Sequence, residues 1–331
     1  MPDNIAKPVD FHELLTTQVD FPVCVKQAFA SEETDAPRVD LLFVRFKEAT
    51  VDVEGLAEVV SHQVVNYALP KRKVRELLSK ANGGLDLSQH SKLIVEAKRA
   101  FIAYNSNATD AKSLSRYAEM GEVLAFCVAS HFLEAGQVAA KMALKTNSEM
   151  PVYGLDGIHV RAEKDGSVTV YFLEAKMVGE AKSGGAQYSK SVAGFDKDRA
   201  HKLNEQRIAR DLSNLDILED AARESALTYF NPYSQEQSNM RERFVGIIVH
   251  TEPGYQNTIP VSDANPLDAH EQHFLKGYKS LHPTFAADLE EALKKEGVEP
   301  GKCRAFFIAV PDVLKLKTLF AEAMSGEHIR K

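Results

Sequence analysis

In the run Val168-Thr169-Val170-Tyr171-Phe172-Leu173-Glu174-Ala175-Lys176, an apolar strand pattern ends in two opposite charges. Side chains alternate faces along a strand, so Val170, Phe172, Glu174 and Lys176 share one face, greasy at its start and charged at its end. Eighteen residues before Glu174, the segment Gly154-Leu155-Asp156-Gly157-Ile158-His159-Val160 repeats the arrangement, with Asp156 on the face of Ile158 and Val160. Between the two runs, Lys164-Asp165-Gly166-Ser167 is a hairpin signal. Antiparallel pairing then sets Asp156 close to Glu174 and Lys176, at the end of the hairpin far from its turn. Carboxylates crowded at half-buried positions repel unless they take up a proton or hold a cation. A divalent metal answers that repulsion, and D-x17-E-x-K on two paired strands points to catalysis. The competing reading is structural: a Lys–Glu pair closing a strand, with Asp156 as a turn residue beside Gly157.

The elements around this hairpin follow from periodicity. A helix is expected from about Ser113 to Glu134, with Glu119 and Glu122 three residues apart on one side. Glu122 follows Gly121 and keeps company with Ala118, Ala125, Phe126 and Ala129, a small-residue face that permits close approach to a sheet edge. A solvated helix acid is the alternative for Glu122. After the hairpin, residues 183–224 read mostly as helix with a break near Gly194 to Lys197. Arg243–His250 and Cys303–Val310 read as strands, separated by two helices dividing near Pro283 and followed by a terminal helix ending near Met324. Before residue 105, a strand over Val39–Phe46 precedes helical segments at about 55–68, from Lys71, and at 87–103. The order predicts an α/β fold, a mixed sheet flanked by helices, with a mainly helical N-terminal region at 1–105 and the chemistry in 106–331.

The chain has 331 residues, 44% of them hydrophobic and 26% charged, which are globular proportions. A net charge of −7 excludes a protein that coats DNA by bulk charge, so any nucleic-acid contact is local or shared with a partner. The three cysteines are scattered, with no CxxC and no zinc spacing, which suits the reducing cytoplasm. No secretory signal pattern opens the sequence, and no apolar run approaches the roughly 18 to 20 residues of a membrane span. His270 and His273 lie three apart rather than the four of a zincin, and Gly184-Gly185 lacks a P-loop ending. His159 alternates to the face opposite Asp156 and is assigned no catalytic role.

Gly121-Glu122 on a helix, then Gly154-Leu155-Asp156-Gly157-Ile158-His159-Val160, then Leu173-Glu174-Ala175-Lys176, together resemble the PD-(D/E)xK nuclease superfamily. Within it they look like the HamA family, nuclease subunits of the Hachiman anti-phage defence system. The resemblance is clearest from about Arg116 to Met177, and it departs from the superfamily pattern where Leu155, not proline, precedes Asp156. It implies a restriction-endonuclease-like core, DNA as target, a HamB-type superfamily 2 helicase as partner, and Asp156, Glu174 and Lys176 as the catalytic set with Glu122 added. Such chemistry suits these residue types: Asp156 and Glu174 hold Mg²⁺ or Mn²⁺ through oxygen, and Lys176 stabilises charge on the attacked phosphate. Basic residues after the motif, Lys190, Lys197, Arg199 and Lys202 with Gln187, are candidates for contacts to DNA, although interspersed acids fit a solvated face equally. Two other functions suit the same pattern: a nuclease-fold scaffold that senses DNA without cutting, and a stand-alone restriction-type endonuclease.

Overall fold

Strands whose residues are apolar on both faces belong in the middle of a sheet covered on both sides, and two runs here have that character: Phe244–Val249 and Ala305–Val310, apart from Gly246. The computed structural model describes residues 10–17, 20–80, 88–105, 119–144, 154–211, 214–231, 233–234 and 239–325. The strands are β1 (Val25–Phe29), β2 (Arg38–Val44), β3 (Phe46–Lys47), β4 (Thr50–Val51), β5 (Gly136–Gln137), β6 (Gly157–Ala162), β7 (Val168–Val178), β8 (Met240–Thr251) and β9 (Cys303–Val310). The α-helices up to the hairpin are α1 (Phe21–Cys24), α2 (Val53–His62), α3 (Val64–Ala68), α4 (Lys71–Lys80), α5 (Ser88–Asn105) and α6 (Glu119–Phe132). After it come α7 (Ala181–Lys197), α8 (Arg199–Asp211), α9 (Asp220–Tyr229), α10 (Ala269–Lys279), α11 (His282–Glu296) and α12 (Val313–Ser325).

One seven-stranded mixed sheet runs in the order β1-β2-β9-β8-β7-β6-β5. Its centre, β2 with β9, β8 and β7, is parallel, and both margins are antiparallel. Period two along β7 separates two cores. Val170 and Phe172 pack with Tyr188, Val192 and Phe195 of α7 and with Leu289 and Leu293 of α11. Tyr171 and Leu173 face the other way, into α6, α2 and α12 through Val123, Leu124, Leu56, Leu316 and Phe320. Full burial of each such large side chain stabilises by about 1.5–3 kcal/mol.

The expected hairpin is present, with Gly157 opposite Leu173 and Ala162 opposite Val168. β9 spans the same residues as its sequence pattern, and Pro283 sits in the first turn of α11. Three features differ from expectation. The sheet crosses the boundary drawn at 105: β2 pairs with β9, and β1 forms its outer edge. β1 escapes a sequence reading because it is five residues long with Lys26 exposed and Gln27 half-buried. The helical break near Gly194 to Lys197 falls instead at Asp198, whose Oδ1 accepts from the amides of Ala200 and His201 at 2.9 and 3.0 Å and so starts a new helix. The expected helical stretch 113–118 lies outside the described residues.

Two buried histidines give the fold an acid-sensitive limb. Burial pulls His159 down to about 3 and His250 to about 4. An unfolded histidine titrates near 6.5, so below that pH the unfolded chain binds more protons than the folded one. Their contribution to stability is therefore complete above about pH 6.5 and is lost as pH falls. His159 has no hydrogen-bond partner on either ring nitrogen among the described residues, which makes it replaceable. His159→Met is expected to weaken the fall in melting temperature between pH 7 and 5, removing about 2 kcal/mol of acid destabilisation. Thermal denaturation across that range checks it; parallel pH curves for the two proteins would contradict it.

Candidate active site

β7 has eleven residues and β6 has six, so the end of β7 outruns its hairpin partner. On the other side β8 stays paired along the whole of β7, out to Val178 opposite His250. The overhang leaves the Ala175 amide without a strand carbonyl. Asp156, immediately before β6, fills that place: its Oδ2 accepts from Ala175 N at 2.7 Å. The bond brings the aspartate to the end of β7 where Glu174 and Lys176 stand. Glu174 is buried, at 6% exposure, and Lys176 Nζ contacts its Oε1 directly.

The third carboxylate arrives from the opposite layer. Gly121 of α6 lies so close to β7 that a Cβ there would stand 3.1 Å from Cβ of Ala175, and the next residue is Glu122. Glu122 accepts from the hydroxyl of Tyr67 on α3. Burial, then the charge of Glu122, pushes the Tyr67 phenol well above its usual range, which keeps it a donor. Asp156 registers the crowding. Its carboxyl is pushed up to about 8 by burial first, then by Glu174 and Glu122, against the opposing pull of the Ala175 amide and Lys176. Such a group is short of positive charge.

Beside Glu174 and Lys176 opens a cleft of about 530 Å³. Its wall takes Gln187, Lys190 and Phe195 from α7, His201 from α8, and the chain at Gly154 and Leu155. Asp156 and Glu122 are not among the residues that line it. Of the basic residues proposed from sequence, Lys190 reaches the cleft, as does Gln187. Lys197, Arg199 and Lys202 do not line it. Lys197 donates to the carbonyl of Glu296 at the end of α11, at 2.7 Å. Lys202 is ion-paired to Asp196 at 2.5 Å and Glu242 at 3.3 Å. Arg199 is exposed at the start of α8. Tyr67 carried no signal in the sequence, because its partner lies 55 residues away on a different helix. His201 stands in a stretch rich in lysine and arginine, with no spacing of its own to single it out.

Among the described residues, no group of three or more histidine, cysteine, aspartate or glutamate side chains is arranged to hold a metal. A hard divalent cation such as Mg²⁺ needs fewer, since it is commonly bound by one or two carboxylates and keeps several waters. Asp156 and Glu174 are donors of that type, and the Asp156 carboxyl is raised by burial first and then by the neighbouring Glu174 and Glu122.

The HamA family profile matches residues 19–324. The chain belongs to the HamA family. HamA proteins are components of the Hachiman defence system, and the match takes in the N-terminal strands as well as the hairpin. No curated protein matches the chain. No helix among the described residues of this HamA protein is long and apolar enough to cross a membrane.

The raised Asp156 carboxyl also makes a stability prediction for the metal-free HamA chain. A carboxyl lifted from 3.8 to about 8 keeps its proton in the folded state while the unfolded chain has lost it. Stability from this group is therefore full below about pH 4 and declines as pH rises toward 8. Asp156→Asn keeps an acceptor for the Ala175 amide and has no proton to lose. In EDTA its melting temperature is expected to exceed that of the native protein by about 2 °C or more at pH 8, with no gain at pH 4. An equal or lower melting temperature at pH 8 would contradict the electrostatic account.

Proposed function

We propose that this HamA-family chain is a metal-dependent DNA nuclease, hydrolysing phosphodiester bonds in Hachiman defence under the control of a HamB-type helicase partner. The observation that carries the proposal is the seating of Asp156 on the Ala175 amide, beside the buried Glu174–Lys176 pair at the head of a cleft. Asp156 and Glu174 would hold Mg²⁺ or Mn²⁺, with Glu122 adding negative charge nearby. When bound, the ion supplies charge neutralisation at the attacked phosphate and a water of lowered pKa.

The remaining work falls to residues of the chain. Lys176 presents its ammonium at the cleft wall, next to Glu174, where negative charge builds on the phosphate in the transition state. Lys190, Gln187 and His201 line the same wall and suit contacts to the sugar–phosphate backbone, which position a strand without reading its sequence. Glu174 holds Lys176 in place by their contact, so each supports the other's position.

Charge supports partner control. Among the described residues, the cleft wall carries Lys176, Lys190 and His201 as its basic groups, while Lys182, Lys197 and Lys202 are engaged by Asp288, Glu296 and the Asp196–Glu242 pair. With a net charge of −7, the chain has little general attraction for a polyanion. Affinity supplied by a translocating partner confines cutting to DNA which that partner has engaged.

The test uses supercoiled plasmid with ATP and Mg²⁺, the chain alone and with its helicase partner. Cutting is expected with the partner present, abolished by EDTA and reduced by about 100-fold or more in Lys176→Ala and Glu174→Ala. Cutting that persists in EDTA or survives Lys176→Ala would contradict the nuclease assignment. Tight DNA binding by the isolated chain at physiological salt would contradict partner control.

A further inference from the structure

Outside the carboxylate cluster, the most deeply buried ion pair among the described residues joins Lys141 and Glu205. Nζ of Lys141 lies 2.6 Å from Oε1 of Glu205, and the two side chains are 4% and 0% exposed. The same ammonium donates to the carbonyl of Leu155. That carbonyl belongs to the peptide group whose nitrogen is Asp156, so the contact fixes the plane of the peptide entering the aspartate. At the preceding residue, Gly154 has φ +121° and lies directly against the Glu205 carboxylate, where a Cβ would fall 1.7 Å from Oε1. Only glycine satisfies both conditions.

The pair is not built for stability. Oε2 of Glu205 is buried without a hydrogen-bond partner among the described residues. Buried ion pairs are costly to desolvate, and replacement by apolar groups of similar volume is often neutral or stabilising. What the pair does supply is position. Asp156 is tethered at two points: its side chain by the Ala175 amide, its main chain by Lys141 through Leu155. Glu205 sits one turn beyond His201 on α8, so the helix that walls the cleft also carries the anchor.

We infer that Lys141 and Glu205 are positioning residues for Asp156, a buried ionic anchor that sets the aspartate against Ala175 and Glu174. The inference rests on the reading of Asp156 as a metal ligand, and its test has one readout that needs no metal.

The double variant Lys141→Met/Glu205→Leu removes both charges together. It is expected to melt no lower than the native protein. Protection of the Ala175 amide against hydrogen exchange is expected to fall about 10-fold or more, while amides at the centre of β8 and β9 keep theirs. Mn²⁺ titration followed by electron paramagnetic resonance is expected to show affinity weakened by a similar factor, with Asp156→Asn as the control that abolishes binding. Unchanged Ala175 protection in a folded double variant would overturn the inference whatever the metal does. If the native chain bound no Mn²⁺, the metal reading would fail, and the amide measurement would still decide whether the anchor positions Asp156. Should the double variant not fold, the isosteric Glu205→Gln carries the test, with a loss of Ala175 protection of about 3-fold or more expected and no loss overturning the inference.

Discussion

Everything chemical in this chain depends on one hydrogen bond at a strand overhang. β7 continues past the start of β6, and the amide it leaves open at Ala175 is closed by a side chain, not a strand. The side chain is Asp156. A slip of one residue in the hairpin register would turn Glu174 and Lys176 to the face of α6 and bury them among Val123 and Leu124. The greasy residues Val170 and Phe172 guard against that slip, since they are held by the α7 layer. The core thus fixes the register, and the register brings the carboxylates together.

The carboxylates then have to be tolerated. Three acids around one strand end repel, and the fold meets this with a lysine contact at Glu174, a tyrosine hydroxyl at Glu122 and an amide at Asp156. Those partners come from two separate parts of the chain, β7 itself and α3 in the N-terminal third. The sheet shows the same integration, because β1 and β2 complete it through β9. The N-terminal residues are therefore structural members of the candidate site as well as of the sheet, and the family match across 19–324 runs over both.

Local patterns carried much of this in the sequence. The Asp-Gly turn, the alternation in β6 and β7, and the doubly apolar runs of β8 and β9 are each written in adjacent residues, so the hairpin and the central strands are legible. That hairpin also makes the approach of Asp156 to Glu174 legible. Contacts between distant segments left no such trace. Tyr67 and Glu122 are 55 residues apart and Lys141 and Glu205 are 64 apart, with no spacing rule connecting them. The basic run after the motif shows the limit in another form. Helical periodicity places Lys190 and Lys202 on helices, but only the tertiary structure reveals that Asp196 and Glu242 wait for Lys202 while Lys190 faces the cleft. β1 was unreadable for the opposite reason: it is short and half polar because it lies at the sheet edge.

Under the proposed function, Asp156 and Glu174 form a cation site whose metal-free form holds an extra proton. Calorimetric titration of Mg²⁺ into the chain at pH 7, repeated in buffers of different ionisation enthalpy, counts protons exchanged on binding. With the Asp156 carboxyl raised to about 8, binding should release about one proton per ion, and Asp156→Asn should abolish both heat and release. Absence of binding, or binding without proton release that survives Asp156→Asn, would contradict the account.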